Sequence, residues 1–489
     1  MKIKLLLLSI LLINTLSFSQ NSVNRIEFDL KNDYENHIAL PLKENGVLIQ
    51  STATKPSKGQ LEIKNEFYDT DFKLVKSASV LVKDRTEIID SYQQNSINYS
   101  LIRNKRDYVA IVISDAATNT IKKVESEYTD EGTLTDMKVH NNKAIFKSVI
   151  RNQSKIIIID LNSGIASEVP FKFGNFSKSD IQIEDFQVLE NEIIVFVNAK
   201  NSRRSSDLYI AQLDLNGVQK DFYRITDNIE EKLIEVAATK IGAKYILTGT
   251  YSKTKADMSQ GIFIAEVENK NLGFIKFYNF LELKNFSNYM SESESRKIER
   301  RMDRAADKNK ELVINYFIEN HEIKLTDDGY IFLGEAYYPT YITYGTGNGG
   351  YVTKFDGYYY THALISKFDK QGNLLWDNSF EIHPGYKPMA LKRFISIKNT
   401  AKDIDLSFGN LKEIIYKKID ATTGKTLIDD TAEIIDTGID GDKLRRSFSE
   451  VSYWYNNFFI AHGTQTVTNN NVKRGRKIFF VNKITLNKN

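Results

Sequence analysis

An apolar run that ends in aspartate, with a glycine three or four residues later, recurs along this chain. Residues 156–159 lead into Asp160 and Gly164, and residues 209–213 into Asp214 and Gly217. Residues 364–368 lead into Asp369 and Gly372, and residues 414–419 into Asp420 and Gly424. Looser copies cover residues 108–115 and 262–268. An earlier apolar strand candidate precedes each run, as at residues 144–149, 193–197, 245–249 and 330–334, and a more polar one precedes that. Short strands spaced by turn residues indicate a sandwich, a barrel or a propeller, and a fixed repeat favours the last. The runs 156–159 and 193–197 are apolar throughout rather than alternating, as suits strands buried on both faces. The repeating unit is therefore four strands packed between two like units, which around a channel is a β-propeller.

The expected fold is all-β: a single β-propeller of seven or eight four-stranded blades, with one helical insertion. Unit boundaries fall near residues 34–84, 85–130, 131–175, 180–227, 230–283, 313–384, 386–436 and 444–489. A two-domain all-β protein is the alternative. The last unit lacks an outer strand, and residues 23–30 contain an unassigned alternating strand. Pairing the two would close the ring and remove an open edge; the plainer reading of 23–30 is a frayed terminus.

Residues 1–19 read as a secretory signal peptide. Lys2 and Lys4 precede an apolar run at 5–13, and Ser17 and Ser19 supply the small residues before a cut at Gln20. The mature domain would then span 20–489 and lie in the periplasm, on the cell surface or outside the cell. The apolar run is too short for a permanent anchor, so the chain is not expected to span a membrane. There is no cysteine, which excludes thiolate zinc sites and cysteine nucleophiles. A net charge of +3 over 489 residues argues against a nucleic-acid partner. The leader ending in Phe18-Ser19-Gln20 and the composition, rich in Asn, Lys and Ile and poor in Pro, resemble exported proteins of the Bacteroidota. The stretch from Lys367 through Asp369 and Gly372 to Trp376 resembles the strand–turn–strand repeat of exported bacterial propellers, quinoprotein-like ones included. The other copies keep the Asp and Gly but lack the Trp. The resemblance implies the fold; no quinone site accompanies it.

Elaborated loops on a rigid scaffold tend to carry function. The longest, 336–361, holds eight tyrosines. Of these Tyr337, Tyr338, Tyr344, Tyr351, Tyr358 and Tyr359, with His362 beside them, are the candidate ligand-binding set. Tyrosine suits glycan or peptide contacts because it offers flat apolar area and a hydroxyl at low entropic cost. The competing reading is a hairpin whose rings pack against the neighbouring helix. That helix is expected within 284–312, starting at Ser291 or Ser293, and its mixed charges read as a solvated face or a docking lid. Loops on this side are rich in Lys and Arg and the opposite turns in Asp, so a polyanion could be attracted to it.

Acids recur at the start of the inner strands: Asp136, Asp185, Glu235, Glu322 and Glu450. They are candidate channel-mouth carboxylates, able to hold Ca²⁺ or to act as the acid and base of a glycosidase or lyase, or simply polar strand ends. No other cofactor is indicated. Asp436, Asp440 and Asp442 lack full calcium-loop spacing, the glycines at 345–350 lack a strand–helix context, and the histidines form no metal pair. The leading functional reading is an exported binding or scaffold propeller that presents the Tyr-rich loop and helix to a glycan, peptide or protein. The alternative is a carbohydrate-active enzyme, a glycoside hydrolase or lyase, and a third is an assembly subunit docking through the helix. Oligomeric state is not legible.

Overall fold

The aspartates that end the apolar runs cap tight turns. Asp160 accepts the N–H groups of Asn162 and Ser163, and Asp214 those of Asn216 and Val218. Asp369 accepts from Gln371 and Asn373, and Asp420 from Thr422 and Thr423. The paired glycines hold φ of 77° (Gly164), 80° (Gly217), 76° (Gly372) and 71° (Gly424), a region that side chains resist. At Gly424 packing adds to this, since a Cβ there would lie 2.5 Å from Cδ2 of Trp376 in the preceding sheet. The repeat thus records both a turn conformation and a close approach between neighbours.

In the computed structural model these turns organise eight antiparallel sheets. Residues 22–485 are described, except 31–32, 106, 130–131, 151–152, 201–205, 227–228, 254–257, 309–311, 347–348, 411–412, 434–436, 438–440 and 470–474. The first five sheets follow sequence order and begin at Tyr34–Pro41, Thr86–Gln94, Thr133–His140, Ile181–Leu189 and Lys232–Ile241. The sixth has an inner strand in two pieces, Phe317–Asn320 and Lys324–Thr326, both paired with Gly329–Gly345. The seventh begins at Ser396–Asn399 and the eighth at Asp442–Tyr455.

Buried clusters join every neighbouring pair. Ile63 packs in one cluster with Ala110, Ile111 with Phe146, Ile158 with Val195, and Phe196 with Phe263. Ile264 is joined to Leu364, Ile365 to Leu406, and Ile414 to Phe459. Ile460 of the eighth sheet shares a cluster with Ile49 of the first, which closes the circle. The molecule is an eight-bladed β-propeller. The middle strands are buried on both faces, as in Glu192–Lys200, where residues 193–199 are all inaccessible. The fourth strand of the eighth blade is Ser22–Asp29, antiparallel to Arg476–Thr485.

The Lys367–Trp376 motif proves to be an inter-blade clamp. Lys367, 2% exposed, donates to the Ala421 carbonyl of the seventh blade at 2.8 Å and pairs with Asp328 at 2.8 Å. Trp376 Nε1 donates to the same carbonyl at 3.3 Å. The motif therefore packs the sixth blade against the seventh.

Candidate functional site

The 336–361 insertion is not a loop but a continuation of two strands. Gly329–Gly345 and Tyr351–Asp369 stay paired from Gly329↔Asp369 out to Gly345↔Tyr351. The flanking strands stop earlier, at Phe317↔Tyr337 and His362↔Glu381. Beyond them a two-stranded ribbon runs on for some eight residues a side, roughly 25 Å at the strand rise per residue.

Its base is fixed by the 382–395 crossover into the seventh blade. Tyr358 N–H donates to Pro388 O at 2.9 Å, and Tyr360 O–H to Lys392 O at 2.6 Å. Lys387 pairs with Asp356 at 2.6 Å. Tyr337 and Tyr358 pack against the core of the sixth and seventh blades, and burial raises both phenol pKa values. Tyr359 is half-buried and faces Tyr338 and His383. The tip differs. Tyr338, Tyr341, Tyr344 and Tyr351 are 45%, 61%, 47% and 80% exposed, with Ile342 and Val352 beside them at 41% and 42%. Of the expected set, Tyr338, Tyr344 and Tyr351 thus face solvent, while Tyr337 and Tyr358 support the base. Tyr341, outside that set, joins the exposed group.

His362 lies elsewhere. It is fully buried and stacked on Tyr289 at 3.6 Å between ring centroids, with Phe286 and Tyr316 edge-on. Burial takes its pKa down to about 3, so it is a neutral packing ring and no ligand-facing group. Tyr289 O–H and Tyr316 O–H meet at 2.7 Å. This aromatic knot roots the helix, which spans Glu292–Ala306 within the 284–312 crossover; 3-10 turns at Phe280–Glu282 and Phe286–Tyr289 precede it. Ser291 caps it in a capping box with Glu294. No helix residue is buried, so the helix does not cover the tyrosines. Ribbon and helix share a base on one face and project separately.

On the axis, four of the five expected carboxylates gather and Glu450 does not. Asp136 pairs with Lys147 at 2.9 Å, and Glu322 with Lys138 at 3.3 Å. Two unforeseen residues join them, Glu319 and Arg393, paired at 3.2 Å. Bulges in the inner strands aim these side chains inward. Asp136 and Glu235 occupy them with φ of 60° and 49°. Burial, reinforced by the Asp136 charge against the pull of Lys147, raises Asp185 to about 6. Burial, opposed by Arg393, raises Glu319 to about 7, and burial with the Glu319 charge holds Glu235 well above the carboxylate range. The void bounded by Asp185, Glu235, Asn320, Glu322 and Arg393 measures about 20 Å³, room for about one water.

Glu450 stands apart. Burial would raise it, but Lys392 at 2.7 Å, His462 and the Tyr386 hydroxyl together bring it down to about 2. Among the described residues no three of His, Asp or Glu are placed to hold a metal ion. Asp436 and Asp440 lie outside the described residues, and Asp442 is engaged by Asn469 at 2.9 Å and by Arg476. No helix is long and apolar enough to cross a membrane among the described residues.

The axial cluster has a measurable signature. Asp185 and Glu319 keep protons in the folded state that the unfolded chain loses near pH 4. Their contribution to stability is complete below about pH 4 and is lost as pH rises through about 6 to 7. Asp185→Asn is expected to raise unfolding free energy at pH 8 by on the order of 1 kcal/mol, a gain that shrinks to nothing by about pH 4. Urea unfolding of both proteins across this range checks it; a pH-independent difference would contradict the assignment.

No family model matches the chain, and no curated protein is similar to it in sequence. Among solved structures, the Dos1 propeller aligns at 9% identity and a TM-score of 0.40 over 96% of this chain and 97% of its own. The polysaccharide lyase Uly1 aligns at 7% identity and 0.39 over 95% and 99%. A structure from a study of two prolyl endopeptidases aligns at 10% identity and 0.38 over 90% of this chain, which spans about half, 54%, of that one. At such values nothing of their activities transfers.

Proposed function

We propose that this chain is an exported binding propeller of the periplasm or cell surface, which presents the tyrosine ribbon and adjoining helix to a glycan, peptide or protein partner. The observation that carries this is the ribbon: four exposed tyrosines on a strand pair whose base is fixed by the next crossover. A contiguous exposed apolar projection marks an interaction site, and rigid aromatic anchors supply most of the energy in such contacts. A glycosidase or lyase reading draws less support. Of the axial acids, Asp136, Glu322 and Glu319 are paired with Lys or Arg, and the void between them admits water rather than a sugar ring.

The test is to probe glycan and peptide arrays with the chain from residue 20 onward and with a variant in which Tyr338, Tyr341, Tyr344 and Tyr351 are all serine. Ligands of the native chain should bind the variant at least about 30-fold more weakly, in keeping with the loss of hot-spot aromatics, while its unfolding midpoint stays the same. Equal binding by the variant, or turnover of a polysaccharide by the native chain, would refute the reading.

A further inference from the structure

A recess of about 500 Å³ opens between the seventh and eighth blades, lined by Asn410, Glu413, Arg445, Arg446 and Phe448 among others. It lies on the face from which the ribbon rises. Asn410 ends the second strand of its blade and Glu413 begins the third, the same two strands that the ribbon prolongs in the sixth blade. The size is that of a small-molecule site.

Its chemistry is specific. A register shift between Leu444 and Arg446 interrupts the alternation of the inner strand, and two adjacent arginines line the same recess. Arg445 Nε donates to Thr468 Oγ1 at 3.3 Å. Arg446 has no hydrogen bond or ion pair among the described residues, whereas the other described arginines of the sheets, such as Arg25, Arg224 and Arg476, are all engaged. Glu413 is half-buried, and its carboxylate makes no hydrogen bond among the described residues. Phe448 forms an apolar wall, its ring held at 63° to Tyr386 with centroids 5.8 Å apart. Tyr386 is fixed in turn by donating to Glu450, which Lys392 also holds.

We propose that this recess binds an acidic sugar, a pyranose carrying a carboxylate or sulfate ester. The anionic group takes the Arg446 guanidinium, a fork suited to planar and tetrahedral oxyanions. Ring hydroxyls donate to the Glu413 carboxylate, and the apolar ring face lies on Phe448. Two cations against one carboxylate leave one positive charge for the ligand to meet. A neutral sugar would leave Arg446 unmet. A bare inorganic anion would sit near Glu413 with no hydroxyl to offer it. The ligand therefore needs both a charge and hydroxyl donors. The recess shares no residue with the ribbon, so this proposal and the ribbon's role can fail independently.

Calorimetric or NMR titration of the chain from residue 20 onward with glucuronate, glucose 6-sulfate, glucose and inorganic sulfate tests it. One or both acidic sugars should bind at least about tenfold more tightly than glucose or sulfate, as expected where one charge-assisted contact and the hydroxyl contacts are both needed; the uronate and the sulfate ester together tell which acid group fits. Arg446→Ala should weaken that binding about tenfold, and Phe448→Ala, which removes the surface on which the ring lies, should weaken it too. Serine in place of the four ribbon tyrosines should leave it unchanged. Absence of acidic-sugar binding, equal affinity for glucose, equal affinity for sulfate, or an Arg446→Ala protein that binds normally would each overturn the proposal.

Discussion

A chain lacking residues 22–30 is expected to lose cooperative unfolding and to aggregate at concentrations where the complete chain stays dispersed. The deleted segment is the entire outer strand of the eighth blade, in register with Arg476–Thr485 from Asp29↔Ile478 to Ser22↔Ile484. Its apolar side chains do more than cover that blade. Phe28 lies 6.2 Å from Phe479 in its own blade, and 5.3 Å from His37 and 6.4 Å from Tyr68 in the first. Ile26, Phe28 and Leu30 all pack on the cluster that joins the two ends of the ring. Arg25 and Glu27 pair with each other, and Glu27 also with Arg476. Deletion would expose a long hydrogen-bonding edge, a template for pairing with other chains. It would also open the seam, with a cost on the order of 5 kcal/mol or more, comparable to a whole domain's stability. Phe28→Ala should retain the fold and lose about 2 kcal/mol, since the ring is only half-buried. Urea unfolding and light scattering give the readouts, and a peptide covering 22–30 should restore part of the lost stability. A truncated chain that unfolds at the same midpoint would show that the strand is dispensable.

Glu335→Ala is expected to have the second largest effect. Glu335 is fully buried in the second strand of the sixth blade. Its carboxylate accepts the Phe394 N–H at 2.9 and 3.0 Å, the Ile395 N–H at 2.9 Å and His321 Nε2 at 2.7 Å. One side chain thus satisfies two backbone donors of the crossover into the seventh blade and holds the His321 ring. Removing it leaves these groups buried and unmet, which costs about 3–5 kcal/mol for a broken buried pair. Glu335→Gln keeps an acceptor oxygen and should lose roughly half as much. Equilibrium urea unfolding at pH 7 separates the two. Equal and small losses would mean that water readily replaces the carboxylate.

Different parts of this architecture were legible in the sequence to different degrees, and for physical reasons. Asp369 and Gly372 announce a turn because both the Asx cap and the left-handed glycine are local demands. The runs 156–159 and 193–197 announce a strand covered on both faces, and so face-to-face blades. The ribbon was harder: Tyr337 to Tyr360 read as a loop because glycines and a proline interrupt the pattern, yet bulges at Ala336/Tyr337 and Pro339/Tyr341 absorb these breaks and pairing continues. His362 looked like a ligand neighbour because its burial depends on Tyr289, some seventy residues away in sequence. Asp136, Asp185 and Glu235 could be placed on the axis because the repeat gives them equivalent positions. Arg393 comes from a crossover and Glu319 from a divided strand, neither of which repeats. Lys147 did leave a trace, as a single charge within the apolar stretch 144–149. Arg446 and Asn410 meet across two blades, and no pattern along the chain links them.

The pairing of Ser22–Asp29 with Arg476–Thr485 also sets an order of events. The segment synthesised first among those described docks beside one synthesised last, more than 440 residues later. Seven blades can acquire local sheet structure while the chain is still growing, because each is built from consecutive strands. The eighth cannot be finished until residues 476–485 have been made, and until then the leading segment has no partner. Completion is therefore a single late, long-range step, the slow kind of contact formation. Whatever holds the leading segment before that moment, whether a translocation apparatus, a chaperone or a fused tag, controls when the circle shuts.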